Sequence, residues 1–373
     1  MSKMDLRTIL ITGGLMSNSN SLFADIANSP GMPDSELGML PARLTKWLCV
    51  DPQEFLQTTD ASQIAGWAIF ASKLFIVALP IPPRRGPKQV YRDSSILMLA
   101  YIQVAWQMGY EMVVDYFRAH PAAAQAAGFV NGEVISIGQY WERRKALGIW
   151  PFWFFFIGMV AQLTRMRIIH GVDVVIDSTT QQAWFHHDPD ANWSFPKPWK
   201  GSTWGYKVHT LLCRWPELPI LFLVTPANWH DSPVAIPLLT LAINLFHFPI
   251  AIVRADAAYF TYSLLNFIRV VLRAGFVVDY NPRRRGKTAL ATLSFMRRWR
   301  HYLGFRAVIE RHFAWAKRYF GLEAARWKGM TAAWQHTALV YSVMLGVALT
   351  AHRFQRPELA GSRMKVLAIH APA

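Results

Sequence analysis

Residues 172–180 read Val-Asp-Val-Val-Ile-Asp-Ser-Thr-Thr, and this stretch decides the fold. The mostly apolar run Val172 to Ile176 predicts a buried strand, and it ends on an aspartate, Asp177. Outward from it, a polar loop from Gln181 to Thr203 carries several aromatics and two histidines, His186 and His187. Trp204 to Arg214 and Ile220 to Thr225 then read as two further strands, turned at Trp215-Pro216-Glu217-Leu218-Pro219. Asp231 or Ser232 caps a helix with Pro233 at its first position, and that helix reaches about Phe248. Pro249 punctuates it before the strand Ile250 to Ala255, which ends on a second aspartate, Asp256. Tyr262 to Ala274 predicts a helix closed by Gly275, and Phe276 to Tyr280 a strand. After a basic segment comes a helix bearing Glu310. The order is three strands, helix, strand, helix, strand, helix.

Such an order is that of a ribonuclease-H-like domain, an α/β fold with a mixed sheet flanked by helices. The rest of the chain frames it. Residues 1–85 are poorly patterned, broken by Pro30, Pro33 and Pro41, and closed by the linker-like Ile81-Pro82-Pro83-Arg84-Arg85-Gly86-Pro87. From Ser94 to Phe117 apolar residues recur at helical spacing, and a second helical piece runs from about Ile135 to Leu147. The expected organisation is therefore 1–85 unpatterned, 86–165 helical and mostly preceding the chemistry, 166–352 catalytic, and 353–373 a tail. The helical part suits either a helix-turn-helix reader of DNA or a plain bundle.

Composition narrows the function. The chain has 373 residues, with 39 Lys+Arg against 23 Asp+Glu and a formal charge of +16. That balance favours a polyanionic partner, of which nucleic acid is the commonest. Cys49 and Cys213 are the only cysteines, which excludes a disulfide scaffold and a cysteine zinc cluster and suits a reducing cytoplasm. The N-terminal residues lack an apolar core followed by a cleavage site. Three stretches without Asp, Glu, Lys or Arg are long enough to cross a bilayer: Ala146 to Thr164, Ser232 to Val253 and Gly329 to His352. Their prolines, polar residues and short apolar runs read better as core helices and strands, so no membrane partner is expected. No Gly-rich phosphate loop appears, so no nucleotide cofactor is expected.

The chemistry concentrates on three acids. Around Phe305 to Gly321, Arg306, Glu310 and Lys317 fall on one helical stripe, with Arg306 and Glu310 about 40° apart and Glu310 and Lys317 about 20° apart. A carboxylate held among cations suits a metal ligand working beside a polyanion. Two strand-end aspartates, Asp177 and Asp256, with a helical glutamate are what a two-magnesium phosphodiester-cutting site needs.

These residues carry a resemblance. The chain resembles the DDE transposases of bacterial insertion sequences, in the group with a tyrosine-arginine-glutamate-lysine signature. Arg306, Glu310 and Lys317 meet the signature's spacings of four and seven; Leu303 stands where its tyrosine belongs, with Tyr302 one place away. The first-aspartate block, Val175 to Thr180, looks like the family's, and the separate block Val224-Thr225-Pro226-Ala227-Asn228-Trp229-His230-Asp231 before the helix looks like the family's too. Arg254-Ala255-Asp256-Ala257-Ala258-Tyr259-Phe260 resembles the second, without the glycine often seen before the aromatic.

The resemblance, over about residues 90 to 350, implies metal-dependent nicking at element ends and strand transfer into target DNA. It implies Asp177, Asp256 and Glu310 as catalytic ligands of two Mg²⁺ ions, with Mn²⁺ as a possible substitute. Arg306 and Lys317 would contact phosphate. Relatives bridge two DNA ends, which implies a homo-oligomer on double-stranded DNA, acting at the bacterial nucleoid. The interval from Asp256 to Glu310 (310 − 256 = 54) leaves little room for an inserted domain. The alternative is a catalytically silent, transposase-derived DNA-binding protein.

The basic segment Arg283, Arg284, Arg285, Lys287 and then Arg297, Arg298 and Arg300 reads as a phosphate-neutralising block ahead of the Glu310 helix. Arg311 adds charge to that helix, either for DNA or for a nearby carboxylate. Trp184, Trp193, Trp199, Trp204 and Trp299 are candidates to stack on an unpaired base. His186, His187 and Asp188 are read as exposed loop residues rather than a metal cluster.

Overall fold

The computed structural model describes residues 91–196, 201–278, 307–323, 327–362 and 365–366. The expected region 1–85, the basic residues Arg283, Arg284, Arg285 and Lys287, and Arg306 lie outside the described residues. The chain divides into two compact units. One takes in Met166–Ala314 and Lys328–Met330; the other takes in the helices up to Arg165, Trp315–Trp327 and the chain from Thr331.

The helical unit opens with α1 (Asp93–Ala105), α2 (Tyr110–Ala119), α3 (Pro121–Ala126), α4 (Ile137–Ala146) and α5 (Trp150–Arg165). Helix α1 is buried from Ser94 to Ala105 because it is apolar on every side. The single helix expected from Ser94 to Phe117 is two. Gln107 turns left-handed at φ 54°, which ends α1, and α2 starts after Gly109. Apolar spacing continues across such a break, so periodicity does not reveal it. Ser136 caps α4 by accepting from the Gln139 amide.

In the other unit, β1 (Asp173–Gln182), β3 (Trp204–Cys213) and β4 (Leu218–Pro226) form an antiparallel meander, with the two-residue β2 (Asn192–Trp193) against the start of β3. Helix α6 (Ser232–Phe246) leads to β5 (Ile252–Ala255), which pairs parallel with the other side of β1. The short α7 (Tyr262–Asn266) continues as one wide turn, Phe267–Val271, where a longer helix is expected. Then β6 (Gly275–Val278) pairs parallel with β5. This mixed sheet with flanking helices is ribonuclease-H-like.

Strand β1 runs well past Asp177, where the sequence suggests its end. The antiparallel ladder with β3 continues to Gln182, while the parallel ladder with β5 stops at Ile176 opposite Ala255. Gly205 makes the far end of that antiparallel ladder possible. Its φ is 157°, and a Cβ there would meet the Gln181 carbonyl oxygen at 2.1 Å.

Helix α8 (Ala307–Phe320) lays Val308, Ile309 and Phe313 on Val175 and Leu212. Helix α9 (Met330–Arg353) is the one described helix long and apolar enough to cross a bilayer by length and composition; 94% of its apolar window is buried within the protein. Gly346 of α9 sits so close to Tyr101 of α1 that a Cβ would meet the phenolic oxygen at 2.1 Å.

Candidate catalytic site

Side chains alternate across a strand, so Asp173, Val175 and Asp177 share one face of β1. Arg254 stands in register with Val175 and therefore points to that same face. Its guanidinium donates to both oxygens of Asp173 at 2.7 Å. Two residues on, Asp256 lies one register step beyond Arg254's neighbour Ala255, beside Asp177. Neighbouring strands stand about 4.8 Å apart, so the chain segments that bear Asp177 and Asp256 leave the end of the parallel ladder next to each other. Both are partly exposed. Each is oriented by the amide that follows it: Ser178 N–H donates to Asp177 Oδ1 at 2.8 Å, and Ala257 N–H to Asp256 Oδ1 at 2.6 Å.

Val175, two residues before Asp177, is the residue on which α8 packs. That helix therefore covers the face carrying both aspartates. Glu310 is exposed on its flank, about 60° round from the packed Phe313. Among the described residues no three His, Cys, Asp or Glu side chains stand together as a ready metal site. The fold thus sets Asp177 and Asp256 one residue beyond adjacent ladder partners and Glu310 on the covering helix.

Of the expected phosphate contacts, Arg311 is engaged with Glu217 of the β3–β4 turn through both carboxylate oxygens. Lys317 pairs with Glu323 at 2.5 Å. His186 and His187 are exposed. Asp188 is buried, and it accepts from the backbone amides of Asp190 and Gly329 while Asp190 accepts from Met330. That acid belongs to the architecture at the start of α9. Trp184 and Trp193 are exposed.

The opposite face of β1 holds residues that sequence reasoning left aside. Ser178 pairs across the ladder with His209, and Thr180 with Lys207. Asp231 meets Ser178, Lys207 and His209. Its Oδ1 accepts from Ser178 Oγ at 2.6 Å, lies 3.2 Å from Lys207 Nζ and 3.6 Å from His209 Nδ1. Lys207 also donates to the Trp229 carbonyl at 2.6 Å. Asp231 occupies the cap position of α6, but makes no capping hydrogen bond because its carboxylate is turned to this cluster.

His209 is fully buried, and burial pulls its pKa down to about 4 against the opposing pull of Asp231. Its Nε2 meets Thr225 Oγ1 at 2.9 Å, and that hydroxyl also reaches the Pro226 carbonyl at 3.2 Å. Tyr259, just past Asp256, is buried as well. Burial first, then the charges of Asp231 and Asp177, hold its phenol well above the ordinary range. The signal for this cluster is in the sequence: Lys207 and His209 recur at period two in an otherwise apolar strand, which places both on one buried face.

Residues 170–345 match the family model of the transposase DDE domain. The matched segment runs from just before β1 into α9 and contains Asp177, Asp256 and Glu310. It supports a transposase role. No curated protein matches the chain.

Proposed function

We propose that this chain is a DDE transposase that cleaves DNA at the ends of a bacterial insertion sequence and joins the freed 3′-hydroxyl to target DNA. The observation that carries this reading is that Asp177 and Asp256 each directly follow a partner of the parallel β1–β5 ladder, Ile176 and Ala255, inside a segment matching the transposase DDE domain. The spacing of Arg306, Glu310 and Lys317 supports the tyrosine-arginine-glutamate-lysine group, with Leu303 in the tyrosine's place.

Asp177, Asp256 and Glu310 would hold two Mg²⁺ ions, with Mn²⁺ as a substitute. The donors fit: magnesium is bound through one or two carboxylates and leaves positions for water and phosphate oxygens. When bound, the ions supply an activated oxygen nucleophile and neutralise charge on the leaving oxygen. The protein's own part is positional. The amides of Ser178 and Ala257 fix the two aspartates, and the packing of Ile309 and Phe313 fixes the helix bearing Glu310.

Arg283, Arg284, Arg285, Lys287 and Arg306 neutralise phosphates along the bound duplex. Arg311 and Lys317 join them by exchanging Glu217 and Glu323 for phosphate oxygens. Two or more copies act together on paired ends, in the cytoplasm at the nucleoid.

The test is end cleavage by purified protein on a plasmid carrying the DNA that flanks the coding region. Cleavage leaving 3′-hydroxyl ends, dependent on Mg²⁺ and lost in Asp177→Asn, is the expected result. Cleavage that persists in Asp177→Asn, or with the divalent ion chelated, overturns the reading.

A further inference from the structure

We propose that Ser178 is a positioning residue for the Asp177 carboxylate, and that Asp231 and Lys207, on the far face of the sheet, hold Ser178 in place. The inference rests on the transposase reading given above and concerns how its first carboxylate is aimed. Ser178 makes two bonds of opposite destination. Its amide donates to Asp177 Oδ1 at 2.8 Å on one side of the sheet. Its hydroxyl donates to Asp231 Oδ1 at 2.6 Å on the other. A rotation of the peptide that relaxed one bond would stretch the other, so Asp231 sets the angle at which the Asp177 amide clamp is presented.

Asp231 is in turn held by a buried cation. Lys207 is 8% exposed, on a strand buried from Gly205 to Cys213, and its ammonium is divided between Asp231 Oδ1 and the Trp229 carbonyl. A buried ion pair is seldom explained by stability, because desolvating both charges offsets much of their attraction. Here the pair ties β3 to the loop before α6, and through Ser178 to the strand that carries Asp177. His209 packs against the same oxygen at 3.6 Å in its neutral form and fills the remaining space. Outer partners that orient ligating carboxylates change metal affinity or activity by about 10- to 100-fold when removed.

The experiment measures Mn²⁺ affinity of the full chain without DNA, by electron paramagnetic resonance of the free ion, together with kcat and KM for end cleavage. Ser178→Ala is expected to weaken Mn²⁺ binding and lower kcat by about tenfold or more, with KM for DNA unchanged. Ser178→Thr, which keeps the hydroxyl, is expected to stay within about threefold of the parent on both readouts. Asp231→Asn strands a buried ammonium and is prone to unfold. The pair Asp231→Leu with Lys207→Met removes both charges and the acceptor of the Ser178 hydroxyl, and is expected to reproduce the Ser178→Ala loss.

Mn²⁺ affinity and kcat of Ser178→Ala equal to the parent's, with Asp177→Asn inactive, would overturn the positioning role and leave the transposase reading standing. Cleavage surviving in Asp177→Asn would instead remove the reading on which it rests.

Discussion

Ile176 and Ala255 are partners across the parallel ladder, and the residue after each is an aspartate. Asp177→Asn and Asp256→Asn keep the shape of that pair and remove one charge from it. Each is expected to lower end cleavage by about 10³-fold, the equivalent of roughly 4 kcal/mol of lost charge stabilisation. DNA affinity, measured by fluorescence anisotropy in Ca²⁺, is expected to stay near that of the parent, since the proposed phosphate contacts belong to other residues.

The frame beneath the pair is the Arg254–Asp173 bridge. Arg254 is 2% exposed, so its charge depends on Asp173, which also receives Arg214 at 3.1 Å. Asp173→Ala is expected to destabilise the protein by about 3–5 kcal/mol, because it removes a carboxylate that pairs with a buried guanidinium through both oxygens. Arg254→Met with Asp173→Leu removes both charges and is expected to recover much of that loss. Urea denaturation of the single and double variants provides the check.

Helix α8 rests on the sheet through Ile309 and Phe313. Ile309→Ala is expected to cost about 2–4 kcal/mol, and Ile309→Val about 1 kcal/mol. End cleavage is expected to fall more than DNA binding, because the loosened helix carries Glu310. Matching losses in cleavage and binding would separate Glu310 from the chemistry.

The strands of this sheet are legible as apolar runs between turn residues, and their order alone sets the fold class. Register is less legible. The sequence places Asp177 at a strand end, yet the antiparallel ladder carries β1 on to Gln182 through the polar Ser178, Thr179 and Thr180. Those residues are tolerated because they pair with His209, Val208 and Lys207 across β3 rather than with β5. The break between α1 and α2 escapes periodicity because both sides are helical. The role of Asp231 is hidden for a different reason: Asp before Ser-Pro reads as a helix cap, and only the packing of β1 against β3 supplies the Ser178, Lys207 and His209 that turn its carboxylate elsewhere.

Acid sensitivity follows from three buried histidines. Burial lowers His209 and His336 to about 4 and His312 to about 3. In the unfolded chain each titrates near 6.5, so it takes up a proton first as pH falls. Stability is therefore complete above about pH 6.5 and lost progressively toward about pH 4, on the order of 3 kcal/mol for each of His209 and His336. His336 donates from Nε2 to the Gly321 carbonyl at 2.8 Å, a bond glutamine can approximate. In His336→Gln the urea midpoint is expected to fall less steeply between pH 6.5 and pH 4.

Gly205 holds a position that no side chain fits. Gly205→Ala would press a methyl group into the backbone of Gln181 and Ala183, at 2.1 and 2.7 Å. A loss of about 2–3 kcal/mol is expected, with amide exchange accelerated at the far end of β1 and β3 rather than at β5. Uniform exchange across the sheet would contradict that placement.

Strands β1, β3 and β4 are close neighbours along the chain, whereas β5 brings the second aspartate 79 residues after the first (256 − 177 = 79). Local pairings close early and distant ones late. A polypeptide still emerging from the ribosome can thus assemble its meander while owning only one of the acids. Any product cut short before residue 252 lacks β5 and, after it, the second of the proposed metal ligands.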